Sequence, residues 1–301
     1  MKKMAFQLKG IIPPMVTPLL SNDTLDVAGL ERLLERMLAG GVSGVFVLGS
    51  TGEAPSLSYR LRREVIAESS RIINGRVPML VGVADTSFEE TVALSRYAAE
   101  RGATALVVAP PFYFPVSGND LRRYYQDLIR KLPLPMILYH MPGLTKVRFD
   151  AEMIAFAVDT PEIIALKESS GDLDFFWRSC RMARCRKHFP VLMGPEHLLA
   201  ASIRLGGSGG VNGGANVFPE LFVNMYHAAV KNDVATMDVL QKKIDRLNDI
   251  YAVPTGGMGV CRGMKYALKC LGVCGDLPAE PFHLLPRNEK KKIEAILDEL
   301  K

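Results

Sequence analysis

The chain has 301 residues, 48% hydrophobic and 23% charged, with 37 basic against 32 acidic side chains and a net charge of +5. That is an ordinary globular balance, and the length suits either two average domains or one large α/β barrel with an extension. The densest basic stretch, residues 178–188, alternates with Ser179, Cys180, Met182, Ala183 and Cys185, which reads as a solvated face rather than a nucleic-acid patch. No apolar run approaches the ~18 residues needed to span a bilayer, so neither nucleic acid nor membrane is expected as a partner.

In chain order, short β-rich apolar runs alternate with longer stretches of helical period, the pattern of repeated βα units on a parallel sheet. The runs fall at residues 10–16, 44–48, 79–83, 105–109, 136–139, 163–167, 191–194 and 209–213. The first seven are spaced by roughly thirty residues, about the length of one strand, one helix and two loops. Between them, residues 27–39, 60–73, 89–101, 120–131 and 196–205 carry apolar side chains at helical spacing. In the first of these, Leu30, Leu33, Leu34, Met37 and Leu38 form the stripe, Asp26 is the N-cap and Gly40-Gly41 the stop.

After Gly214 only helical patterns follow, at residues 219–231, 234–251, 259–271 and 289–300. The expected fold is an α/β chain forming a (β/α)8 TIM barrel over residues 1–225, with the last barrel helix and a C-terminal helical extension over residues 226–301. A doubly wound open sheet would usually carry a phosphate fingerprint in its first βα turn, and none is present.

The five cysteines, Cys180, Cys185, Cys261, Cys270 and Cys274, form no C-x-x-C pair and have no histidine at metal-ligand spacing. Reduced thiols, a cytoplasmic setting and no metal site are expected. Met258, Cys261, Met264 and Leu268 read as helix packing. Neither Gly49-Ser50-Thr51-Gly52-Glu53 nor Gly206-Gly207-Ser208-Gly209-Gly210 has dinucleotide-binding spacing.

A parallel barrel places its active site at the C-terminal strand ends. That filter selects Thr17, the run 49–53, Tyr113, Tyr139-His140, Lys167-Glu168, Glu196-His197 and Asn212. Lys167 closes the run Ile163-Ile164-Ala165-Leu166, where desolvation would free its amine as a nucleophile. The plain alternative is a lysine that snorkels or pairs with Glu168. Tyr139 closes Met136-Ile137-Leu138 on the neighbouring strand, where its phenol could move protons or merely cap the core. The turn Gly49-Ser50-Thr51-Gly52-Glu53 either presents backbone N–H groups to an anion or is a tight turn satisfied locally.

Together, Gly49-Ser50-Thr51-Gly52-Glu53, Pro110-Pro111-Phe112-Tyr113, Tyr139-His140-Met141-Pro142 and Leu166-Lys167-Glu168-Ser169-Ser170-Gly171-Asp172 resemble the dihydrodipicolinate synthase and N-acetylneuraminate lyase family over nearly the whole chain. The resemblance implies a homotetramer of tight dimers needing no metal or organic cofactor. It makes Lys167 the lysine that forms a Schiff base with pyruvate or another 2-oxo acid. Tyr139 and Ser50 become the proton relay, Thr51 with the Ser50 backbone the carboxylate-binding turn, and Tyr113 the tyrosine that reaches a neighbouring subunit's site. Asn212 falls where the eighth-strand backbone faces the keto acid.

Departures from the family pattern bear on the substrate. Leu144 stands where the synthases usually carry an arginine that grips the carboxylate of aspartate semialdehyde, an interaction an apolar side chain cannot replace. Leu144 and Ser50 are more similar to neuraminate lyases, yet Glu196-His197 match the sugar-acid contacts only in part, and Gly213 replaces a serine. Glu196 and His197 are expected to meet a polar acceptor or polyol tail, Glu196 having the alternative of a helix N-terminal carboxylate. The activity implied is a class I aldolase or lyase joining or splitting a 2-oxo acid and an aldehyde, with a sugar acid as the expected substrate. The alternatives are dihydrodipicolinate synthesis, a deoxy-sugar-acid dehydratase and a non-catalytic metabolite-binding barrel.

Overall fold

The computed structural model describes residues 8–114, 116 and 118–300. Its strands are β1 (Gly10–Ile11), β2 (Leu19–Ser21), β3 (Thr24–Leu25), β4 (Val45–Val47), β5 (Met79–Gly82), β6 (Ala105–Val108), β7 (Met136–His140), β8 (Ile163–Glu168), β9 (Val191–Met193) and β10 (Gly209–Gly210). Eight of them form one parallel sheet in the order β1-β10-β9-β8-β7-β6-β5-β4, and a parallel bridge between Pro14 and Phe46 joins its two edges. The first strand is shorter than expected because Pro13 and Pro14 have no N–H to give the ladder. The seam still holds, since Met15 N–H donates to Phe46 O at 2.8 Å and Phe46 N–H to Pro13 O at 2.9 Å. β2 and β3 form a small antiparallel hairpin outside the barrel that periodicity did not reveal.

Helices α1 (Val27–Ala39), α2 (Tyr59–Ile73), α3 (Phe88–Glu100), α4 (Gly118–Ile129), α5 (Pro142–Thr145), α6 (Ala151–Asp159), α7 (Leu173–Ala183), α8 (Leu199–Arg204) and α9 (Pro219–Lys231) surround the sheet. The extension is α10 (Val234–Ala252), α11 (Gly259–Cys270) and α12 (Arg287–Leu300). α1 has the limits its pattern predicts, and Asp26 caps it by accepting from Gly29 N–H at 2.8 Å. The 196–205 segment is split, with a 3-10 turn at Glu196–Leu198 before α8. The expected unit boundary at residue 225 falls inside α9. None of the described helices is long and apolar enough to cross a membrane.

Alternation along the strands sorts side chains into two layers. Leu8, Ile12, Phe46, Leu80, Ala105, Val107, Ile137, Tyr139, Ala165, Leu192 and Val211 fill the barrel interior. The opposite faces join the helices in a second cluster that runs unbroken into the extension through Ile244, Leu247, Ile250, Met264 and Leu268. Each such buried aliphatic side chain contributes about 1.5–3 kcal/mol of transfer free energy, which fastens the extension to the barrel. Arg186, read from sequence as part of a solvated face, instead donates to Thr160 O, Pro161 O and Ile163 O at 2.7–2.8 Å and holds the entry to β8.

Candidate active site

One irregularity in β8 decides what faces the barrel interior. Met136 pairs with Ile163, but the next residue, Ile137, pairs with Ala165, so two β8 residues oppose one step of β7. Ile163 packs outward, Ile164 and Ala165 both pack inward, and Leu166 packs outward again. This bulge resets the alternation, and Lys167 consequently points inward beside its ladder partner Tyr139, while Glu168 and its partner His140 point outward.

Lys167 is 5% exposed, with its side-chain nitrogen 3.6 Å from the Tyr139 ring centroid and 4.9 Å from that of Phe46. No carboxylate among the described residues lies within ion-pairing distance of it. Burial lowers its pKa from the ordinary 10.5, and the Tyr139 phenol opposes the shift. The pairing with Glu168 that the sequence left open does not form. Glu168 Oε1 instead lies 3.1 Å from His140 Nδ1 and accepts from Ser170 N–H at 2.7 Å. His140 Nε2 accepts from Phe149 N–H at 3.1 Å, so Nδ1 carries the proton toward Glu168. This buried pair sits directly behind Tyr139 and Lys167 and holds the ends of the same two strands.

The turn after β4 is clamped from two sides. Glu53 N–H closes it onto Ser50 O at 3.0 Å, and the Thr17 hydroxyl donates to Gly52 O at 2.7 Å. Gly52 is required because a Cβ there would lie 2.9 Å from Met15 O. From the extension, the Cys261 thiol reaches Ser50 O at 3.6 Å and the Lys265 ammonium pairs with the Glu53 carboxylate. The N–H groups of Ser50 and Thr51 find no acceptor among the described residues, which leaves two donors for an anion. The Phe46 ring would lie only 2.7 Å from a Cβ on Gly49 and its centroid is 4.9 Å from the Lys167 nitrogen, so one ring is close to both the turn and the amine.

The remaining candidates are dispersed. Tyr113 is 83% exposed at a positive φ of 81°, edge-on to Phe114 and outside the buried Lys167 group. Leu144 is 53% exposed on α5, just beyond β7. Asn212 is fully buried and donates to Met193 O at 3.3 Å and Gly194 O at 3.0 Å, bracing β9 against the chain after β10. Glu196, expected at a substrate tail, is buried. Its Oε1 accepts from Gly214 N–H at 2.5 Å and its carboxylate from Tyr251 O–H at 3.1–3.2 Å. Desolvation pushes its pKa up to about 7. His197 is exposed, and its carbonyl accepts from Gln241 at 3.2 Å.

Sequence reasoning did not find the parts played by Phe46, Tyr251, Cys261 and Lys265. Phe46, Tyr251 and Cys261 look like packing residues and Lys265 like an ordinary charge, and their polar or ring contacts join segments far apart in the chain. Among the described residues no three His, Cys, Asp or Glu side chains gather as a metal site would require.

A parallel barrel with a desolvated amine at one strand end that no described carboxylate pairs, a phenol beside it and a turn with two open N–H donors is the arrangement of a class I aldolase or lyase. The dihydrodipicolinate synthetase family model matches residues 7–300, and the chain belongs to that family. It is 32% identical to the probable 2-dehydro-3-deoxy-D-pentonate aldolase YjhH of Escherichia coli over 97% of each chain. It is 30% identical to the 4-hydroxy-tetrahydrodipicolinate synthase of Methanoculleus marisnigri over 96% of this chain and 98% of that protein. A solved dihydrodipicolinate synthase from Bacteroides thetaiotaomicron superposes with a TM-score of 0.94 at 46% identity, covering 97% and 99% of the two chains. YagE of Escherichia coli, solved in complex with pyruvate, gives 0.92 at 28% identity, covering 97% and 98%.

Proposed function

We propose that Lys167 forms a Schiff base with pyruvate or a related 2-oxo acid and that the enzyme cleaves or forms the carbon–carbon bond of a hydroxylated 2-oxo acid, with a deoxy sugar acid as substrate. The observation that carries the proposal is the buried Lys167 nitrogen, held against the Tyr139 ring with no carboxylate partner among the described residues. Burial lowers the lysine's pKa, which enlarges the share of neutral amine able to attack a carbonyl.

The neutral amine attacks the ketone carbon, and loss of water leaves an iminium whose positive charge draws electrons from the neighbouring bond. In the cleavage direction, a base takes the proton of the 4-hydroxyl, the C3–C4 bond breaks, the aldehyde departs and the electron pair passes into the enamine of pyruvate. Protonation of that enamine and hydrolysis release pyruvate and restore the amine. Tyr139 and Ser50 are the proposed proton carriers. The Ser50 and Thr51 N–H groups are proposed to hold the 2-oxo acid's carboxylate, with the Asn212 backbone beside it. Glu196, whose oxygens already accept internal donors, is proposed to hold the Gly213–Gly214 turn, while exposed His197 is left to meet a polar tail.

Tyr113 and Phe114 expose large aromatic surface, which supports a second subunit covering this face and Tyr113 completing that subunit's site in a homotetramer. The five free cysteines support a reducing, cytoplasmic setting. Dihydrodipicolinate synthesis is the second reading, favoured by the 46% identity to the Bacteroides thetaiotaomicron protein. Against it stands Leu144, and Lys146, the next basic side chain along that loop, gives its ammonium to Gly143 O at 2.8 Å.

The deciding experiment is incubation with pyruvate, reduction with borohydride and mapping of the adduct by mass spectrometry. A reduced adduct on Lys167 is expected. A folded protein that gives none with pyruvate or with larger 2-oxo acids would overturn the proposal.

A further inference from the structure

We propose that the Lys265–Glu53 ion pair is a positioning device through which the C-terminal extension holds the turn 49–53 in the shape that binds the 2-oxo acid's carboxylate; this rests on the functional reading above. The pair is among the most deeply buried charge in the molecule, with side chains 0% and 1% exposed. Burying two charges costs more solvation than their attraction commonly returns, and an apolar pair would fill the same space at lower cost. The charges are therefore to be explained by what they hold in place.

Each partner is tied further into the extension. Glu53 Oε1 accepts from Ala279 N–H at 2.8 Å, and Lys265 Nζ donates to Leu277 O at 2.8 Å. Glu53 itself adopts a left-handed backbone, φ 57°, where glycine is the ordinary residue, so a strained position is occupied by the side chain that reaches the extension. One turn earlier on α11, Cys261 meets Ser50 O, so the helix face that carries Lys265 touches the turn at both of its ends. On the opposite side Thr17 and Met15 bound the turn at Gly52. The Ser50 and Thr51 N–H groups, without an acceptor among the described residues, belong to the turn that these contacts hold, so their direction depends on both.

Loss of the pair should therefore weaken binding of the keto acid more than it slows the chemistry at Lys167. Lys265→Met is expected to raise KM for pyruvate about tenfold, measured as the pyruvate dependence of borohydride trapping well below the melting temperature. The maximal trapping rate should stay within about threefold of wild type. Should that variant not fold, Glu53→Gln/Lys265→Met removes both charges and is held to the same criteria. A lowered melting temperature with KM within twofold of wild type in the folded variant would make the pair structural only and overturn the inference. Wild-type protein that is never trapped at Lys167 would instead sink the functional reading, and this inference with it, so the two failures are told apart by the wild-type control.

Discussion

Lys167 and Tyr139 are direct partners across the β7–β8 ladder, and the lysine nitrogen lies 3.6 Å from the centroid of the phenol ring. A charge held over an aromatic face is stabilised by the ring quadrupole, yet burial wins here and lowers the lysine's pKa. The ring therefore holds the amine in place, and the hydroxyl is the group proposed above to carry protons.

Those two contributions separate in Tyr139→Phe, which keeps the ring and removes the hydroxyl. Turnover of a 4-hydroxy-2-oxo acid should fall by about 10²–10⁴-fold, the usual worth of a positioned acid–base group. Trapping of pyruvate on Lys167 should survive. Steady-state kinetics beside borohydride trapping checks both, and unchanged turnover would remove Tyr139 from the relay.

Lys167→Met should abolish activity and stabilise the fold. Because folding lowers this lysine's pKa, its charged form opposes folding at pH values below the folded pKa, and the penalty fades as pH rises toward the ordinary 10.5. The methionine variant is expected to be more stable than wild type at neutral pH, with the gain shrinking in alkali. Urea unfolding at pH 7 and pH 10 measures it; a variant less stable than wild type at pH 7 would contradict the assignment of burial as the dominant influence.

Glu196 gives the opposite pH behaviour. Folding raises its pKa from 4.5 to about 7, so the folded state holds a proton that the unfolded chain releases. Stability from this group is complete below pH 4.5 and is lost as pH rises to about 7, by roughly 3 kcal/mol in all. Glu196→Gln keeps an oxygen for the Gly214 N–H and cannot ionise. Its unfolding free energy should fall less steeply than that of wild type between those pH values. Parallel slopes for the two proteins would show that Glu196 does not titrate there.

Leu144→Arg tests the substrate reading. It places a bidentate donor on α5, where half of the leucine is open to solvent. Condensation of pyruvate with an aldehyde carrying a distal carboxylate should rise at least tenfold relative to a neutral polyol aldehyde, a single charge-assisted contact being worth about 1.5–3 kcal/mol. An unchanged ratio, measured by competing the two aldehydes, would mean that position 144 does not face the second substrate.

Much of the architecture was legible before folding was considered. Residues 27–39 declare α1 through their apolar stripe, the Asp26 cap and the Gly40 stop, because helix formation is decided within a few turns of chain. The recurrence of apolar runs similarly declared a parallel barrel, and chemistry at strand ends brought out Lys167, Tyr139 and the turn 49–53. What closure alone decided is where those groups point. Strand alternation has a period of two, so the extra residue in β8 inverts the face of everything after it, and Lys167 enters the barrel while Glu168 turns away to His140. The Lys265–Glu53 pair likewise leaves no local trace. Each residue alone reads as an ordinary charge, and only the docking of α11 on the barrel removes both from water and makes each the other's partner.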